Sequence, residues 1–304
     1  MKTLIPKPLK TGDRIAVVSP AGIIKPQNVY RALPYMEEQG WQPYVTPNTF
    51  KRYGTFAGTP DQRYSDLEEA FLDPSTRAIL CSRGGYGVVH LLERLSRLNL
   101  RRDPKWVIGY SDISALHGLM ASQGIASIHS PMAKHIADQQ GEDPYTKALF
   151  NILKGKGNIS HTPSHPLNRP GSVSGTLYGG NLAVLTGLIG TKYDILRPNT
   201  ILFIEDVSEP IYKIERMMYS LRLSGVLARI KGLIVGQFTE YSPDVDNETM
   251  EDMISRCVAP YNYPVMFNAP VGHVDQNVPL IEGGRVTLTV GSDTSTIDQS
   301  KALQ

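Results

Sequence analysis

Cysteine is almost absent: Cys81 and Cys257 are the only two in 304 residues. That excludes a disulfide framework, and neither has the neighbouring Cys or His of a zinc site. An excess of charge of one sign is missing too. With 31 Lys and Arg against 29 Asp and Glu the formal net charge is +2, too weak a field to gather nucleic acid or an anionic membrane. Long apolar runs are lacking: no window approaches the roughly 20 residues that span a bilayer. The start, Met1-Lys-Thr-Leu-Ile-Pro-Lys-Pro8, has no apolar core of a secretion signal. No His-Glu-x-x-His pattern occurs, and Pro163 interrupts the spacing between His161 and His165. The expectation is a cytoplasmic protein with reduced thiols, no metal and no other cofactor.

Hydrophobic residues at 41% and charged residues at 20% are ordinary for a folded chain. The length suits two domains or one large α/β domain. Residues 14–19, 78–82, 106–109 and 125–129 read as strands. They alternate with helical patterns over 27–39, 61–71, 88–95 and 112–122. This order predicts an α/β fold with a parallel N-terminal sheet and helices on both faces, where chemistry belongs at the C-terminal strand ends. Turn formers crowd residues 151–172, so a linker is placed there between domains at 1–150 and 173–304. In the second domain, helices are expected over 181–189 and 212–224. Strands are expected over 200–204, 230–235 and 285–290.

The strand ending at Gly109 runs through Tyr110-Ser111-Asp112 into a helix bearing Ile113, Leu116 and Met120. A serine on such a turn presents its hydroxyl beside free backbone N–H groups, which makes Ser111 a nucleophile candidate. An ordinary helix cap by Ser111 or Asp112 accounts for the same pattern. The motif also lacks the second glycine of a G-x-S-x-G elbow, which disfavours an ordinary α/β-hydrolase. A second loop, Arg83-Gly84-Gly85-Tyr86-Gly87, follows another strand. Its Gly85 amide, with that of Asp112, is the candidate oxyanion hole. Nucleotide binding is the weaker reading, because neither G-x-G-x-x-G nor a P-loop ending is present. Among seven histidines, His129 and His273 follow apolar runs in short loops and compete as the base. Glu205, directly after an apolar strand, leads Asp206 and Glu209 as the orienting acid, unless it merely pairs with a cation such as Arg216.

Several segments together resemble the LD-carboxypeptidase family, which includes microcin-immunity serine peptidases. They are Gly12-Asp-Arg-Ile-Ala-Val-Val-Ser-Pro20, Phe56-Ala-Gly-Thr-Pro-Asp-Gln-Arg63, Arg83-Gly-Gly-Tyr-Gly87, Gly109-Tyr-Ser-Asp112, Gly179-Gly-Asn-Leu-Ala-Val-Leu185, Leu202-Phe-Ile-Glu-Asp206 and Gly272-His273. The resemblance covers nearly the full length. It implies a Ser-Glu-His triad at Ser111, Glu205 and His273, which breaks the tie between the two histidines. It also implies oxyanion donors at Gly85 and Asp112, a smaller mixed α/β C-terminal domain, and a homodimer. The implied reaction is removal of D-alanine from a muropeptide, a small peptide substrate. Such an enzyme must also hold the free terminal carboxylate, and Arg83 beside the glycine loop is the candidate partner for it. A related amidase acting on a peptidyl-nucleotide and a non-catalytic binding module are the alternatives. Ser130 stands between His129 and Pro131 where the family commonly has glycine, a departure expected to affect substrate fit.

Overall fold

The computed structural model describes residues 3–242 and 248–304. In its first half β1 (Arg14–Val18), β2 (Gln42–Val45), β3 (Thr76–Cys81), β4 (Trp106–Gly109) and β5 (Ser127–His129) form a parallel sheet in the order β2-β1-β3-β4-β5. Ile15, Val17, Leu80 and Ile108 bury against one helical layer, and Ala16, Val18, Ile79 and Val107 against the other. With both faces covered, β1, β3 and β4 are continuous apolar runs rather than alternating ones, which is why sequence alone locates them; β2, exposed or only half-buried along its length, is not among the expected strands.

The second half adds β6 (Ile159–Pro163), β7 (Gly171–Asn181), β8 (Thr200–Val207), β9 (Gly232–Thr239) and β10 (Val265–Met266). After them β11 (Leu280–Glu282) crosses back and pairs antiparallel with β5, extending the first sheet to six strands. Finally β12 (Arg285–Val290) and β13 (Thr294–Asp298) complete a seven-stranded mixed sheet, β10-β9-β8-β7-β12-β13-β6. It is parallel from β10 to β7 and antiparallel beyond.

Some expectations change. The helix expected over 27–39 is two short ones, Pro26–Tyr30 and Leu33–Glu37, and the second has Pro34, which has no N–H to extend a ladder, in its first turn. The stretch 151–172, expected as a linker, carries β6, whose inward residues are Ser160 and Thr162. Period-two burial by polar side chains leaves no apolar signal to read. The strand β7, Gly-Ser-Val-Ser-Gly-Thr-Leu-Tyr-Gly-Gly-Asn, is hidden by its glycines.

Those glycines are required by close approach. A Cβ on Gly179 would overlap the Phe203 carbonyl on β8, and one on Gly180 would overlap the Ser114 hydroxyl of the helix Ser114–Ser122. Here the two sheets meet: Asn181 donates its backbone N–H to Ser114 Oγ at 3.0 Å. Gly179→Ala should therefore cost about 3 kcal/mol in chemical denaturation, as overpacking of a closed site does. Gly187→Ala, at a helical position with open space beside it, should be neutral or stabilise by about 0.5–1 kcal/mol.

Candidate active site

Helix formation directly after β4 forces a sharp turn at Ser111, which adopts φ +67°. A non-glycine residue in this left-handed region is strained, and such strain gathers at functional sites. The missing elbow glycine is explained by packing: Ile113 lies against Gly109, whose Cβ, if present, would fall 2.9 Å from Ile113 Cγ1. Gly109 thus supplies the room that the second glycine supplies in the other motif. Gly84 approaches from β3, and a Cβ there would sit 2.8 Å from Ser111 Oγ. Gly85 follows at φ +135°, and both glycines line the same cleft as Ser111.

Glu205, near the C-terminal end of β8, has no exposed surface. Opposite it the β8–β9 register slips, with Ile204 facing Val235 and Asp206 facing Phe238. Two residues of β9, Gly236 and Gln237, thus oppose one of β8, a bulge that re-aims the side chain. Glu205 Oε2 accepts a hydrogen bond from His273 Nδ1 at 2.8 Å. The loop bearing His273 reaches it only because Gly272, at φ +125°, has no Cβ, which would fall 2.9 Å from the Glu205 Cβ. Glu205 therefore pairs with the histidine rather than with Arg216, whose guanidinium lies over the Tyr212 ring.

Burial by itself lowers the His273 pKa, but the hydrogen bond and charge of Glu205, with Asp206 and Glu240 behind, outweigh it and leave the pKa raised. His129, the competitor, is fully buried between the Tyr110 and Phe203 rings. Neither of its ring nitrogens has a hydrogen-bond partner among the described residues. Burial, then the nearby His117 and His273, hold its pKa far below the ordinary value. It stays neutral and does not line the cleft. Ser130 is likewise fully buried and away from the cleft lining.

The cleft encloses about 460 Å³ between the ends of the two sheets. Arg83, Ser111 and His273 line it together with Lys134, Glu240 and Asp275. Asp112 points away: its Oδ2 accepts from the Val88 N–H at 2.9 Å, and burial, opposed by that bond and by Arg63, pushes its pKa up to about 6. Asp206 also turns from Glu205, accepting from Asn181 Nδ2 and the Ala183 N–H at the start of the helix Leu182–Gly187.

Two supporting residues had no readable signal. Arg63 is buried and donates from Nη1 to the Pro20 carbonyl at 2.6 Å and the Gly87 carbonyl at 2.9 Å, tying the β1 and glycine loops together. His117 Nε2 donates to the Gly109 carbonyl at 2.9 Å, so its Nδ1 accepts from Ser127 Oγ at 2.8 Å. Burial, opposed by the Gly109 bond, depresses its pKa to about 4, and a neutral ring anchors the strand end before Ser111. The Phe56–Arg63 motif contained the first, but a buried arginine looks like a surface one in sequence.

Fold and cleft define a two-domain α/β hydrolase with its cleft where the two sheets meet. The chain belongs to the LD-carboxypeptidase family: residues 15–130 match the LD-carboxypeptidase N-terminal domain and residues 174–288 the C-terminal domain. It is 31% identical to a probable murein peptide carboxypeptidase of Bacillus subtilis, covering 96% of this chain and 94% of that one. It is also 31% identical to the murein tetrapeptide carboxypeptidase of Pseudomonas aeruginosa, covering 90% and 94%. The crystal structure of muramoyltetrapeptide carboxypeptidase from Oxalobacter formigenes superposes with a TM-score of 0.85 at 26% identity, covering 94% and 98%. The microcin C7 self-immunity protein MccF shares the fold, with a TM-score of 0.82 at 22% identity over 98% and 99%.

Because the His273 pKa is raised on folding, the Glu205 pair stabilises fully below the unfolded value of about 6.5, and this contribution is lost as pH rises through the folded value. In an NMR titration, His273 should titrate above about 6.5 in the wild type and clearly lower in Glu205→Gln, where only the charges of Asp206 and Glu240 still oppose burial.

Proposed function

We propose that the protein is a serine-type carboxypeptidase that hydrolyses the amide between the L-centre of the diamino acid and terminal D-alanine in murein tetrapeptides. The observation that carries the reading is the buried Glu205–His273 pair opening onto the same cleft as Ser111 at its strained turn. The names of the murein-peptide relatives support the substrate class.

In this reading Glu205 holds Nδ1–H of His273, leaving Nε2 as the base toward the cleft. Nε2 takes the Ser111 proton as Oγ bonds to the scissile carbonyl carbon. The carbonyl oxygen becomes an oxyanion facing the N–H groups of Gly85 and Asp112. His273 then returns the proton to the departing amine of D-alanine, and the acyl group stays as an ester on Ser111. A water deprotonated by His273 attacks that ester and restores the hydroxyl. Arg83, whose Nη1 and Nε are turned toward the Ile23 and Gly84 carbonyls, is the cation for the terminal carboxylate. We place the reaction in the cytoplasm and the enzyme in a homodimer. Among the described residues no helix is long and apolar enough to cross a membrane.

The test is release of D-alanine from L-Ala-γ-D-Glu-meso-diaminopimelate-D-Ala. Wild type should release it, and Ser111→Ala and His273→Ala should lower kcat by about 10⁴-fold or more, as removal of a nucleophile or its base does. Glu205→Gln should lose about 10⁴-fold and move the rising limb of the pH profile to lower pH, since neutral His273 is the active form. If wild type releases none but Ser111 still reacts with a fluorophosphonate, the substrate is another amide, such as a peptidyl-nucleotide. An unreactive Ser111 would leave a binding module. Gly84→Ala, which crowds Ser111 Oγ, should slow fluorophosphonate labelling about 100-fold with the fold intact.

A further inference from the structure

Four rings run from the core of the second sheet to His273. Phe203 on β8 packs against His129 on β5 with centroids 5.0 Å apart and planes at 82°. The His129 ring lies 5.8 Å from that of Tyr110, and Tyr110 meets the His273 ring at 5.0 Å and 65°, close to edge-on. Phe203 stands two residues before Glu205, so strand alternation sends both side chains to the same side of β8. Glu205 in turn holds His273 Nδ1. The contacts therefore close a circuit, from Glu205 through His273, Tyr110, His129 and Phe203 and back along β8.

A single hydrogen bond holds the imidazole at one atom and acts there as a pivot. His273 sits in a loop, directly after Gly272 at φ +125°, and its side chain keeps 21% of its surface exposed. A swing of the ring about the Nδ1 contact would displace Nε2, the nitrogen on the far side. The Tyr110 ring flanks the imidazole and restricts that swing. Tyr110 is also the extended residue between β4 and Ser111, so the ring that flanks the histidine rides on the backbone that carries the serine. Behind it stands His129, with no exposed surface and paired with Gly109 on β4. Burial first, then the Glu205 charge, push the Tyr110 phenol up to about 12, with Arg83 opposing and Asp275 adding. Tyr110 thus presents a neutral ring to His273.

Resting on the serine-hydrolase reading above, we propose that Tyr110 is a positioning residue that sets the gap between His273 Nε2 and the Ser111 hydroxyl. The two groups come from different halves of the molecule: Ser111 extends from β4, and His273 is held by Glu205 on β8. Any small shift between the halves changes the gap that the Ser111 proton crosses, and a misplacement of about 1 Å can cost about 100-fold in rate. Two of the three ring contacts, Tyr110 with His273 and His129 with Phe203, cross that join at different depths.

The test compares Tyr110→Leu with Tyr110→Phe. Leucine keeps apolar volume without the flat ring, and phenylalanine keeps the ring without the phenol. Tyr110→Leu should lower kcat for D-alanine release about 100-fold and leave KM within about twofold, and Tyr110→Phe should restore kcat to within about threefold of wild type. A second readout needs no substrate. The NMR order parameter of the His273 ring should fall below about 0.6 in Tyr110→Leu and stay near about 0.85 in wild type and Tyr110→Phe. A Tyr110→Phe enzyme as slow as Tyr110→Leu would overturn the proposal, because the phenol would then be the working group. So would a rise in KM in place of the fall in kcat, or a His273 ring as rigid in Tyr110→Leu as in wild type. Failure of wild type to release D-alanine is a separate result. It removes the carboxypeptidase reading, and the comparison of variants then passes to the rate at which Ser111 reacts with a fluorophosphonate. If Ser111 does not react, the order parameter still decides whether Tyr110 holds the ring.

Discussion

A carboxylate with no exposed surface cannot remain charged without a partner, and Glu205 imposes that condition on everything around it. Its partner is the Nδ1–H of His273, 68 residues further along the chain. The bulge at Gly236 and Gln237 turns the side chain inward, and the absence of a Cβ on Gly272 lets the histidine loop close over it. The hydrogen bond fixes the imidazole tautomer, and the carboxylate raises the pKa of a ring that burial would otherwise depress.

The Ser111 side follows the same logic with neutral partners. His117 anchors the Gly109 carbonyl, Arg63 joins the two loops beneath, and Gly84 admits the Ser111 hydroxyl to a gap too small for any Cβ. They hold a strained turn that local propensity would relax.

The two halves are coupled where β7 meets the helix after Ser111. Asn181 binds Ser114 through its backbone and Asp206 through its side chain, and caps the helix Leu182–Gly187 with its Oδ1. One residue thus links the element that carries Ser111 to the strand that carries Glu205. Crossing of β11 into the first sheet adds a second tie, immediately after the loop that bears His273.

Local order was legible from residue type. Continuous apolar runs marked β1, β3, β4 and β8, and the strand–turn–helix passage marked Ser111, because these features are set by neighbours in the chain. Between His129 and His273 the residues themselves left a tie, which the family resemblance broke. Tertiary structure decided what depends on distant partners. It buried His129 in neutral surroundings, aimed Glu205 through a bulge, and formed β6 and β7 from polar and glycine-rich stretches whose strand character comes from close packing. Pairing across 68 residues and the room left by a missing Cβ are properties of packed surfaces, and no local pattern encodes them.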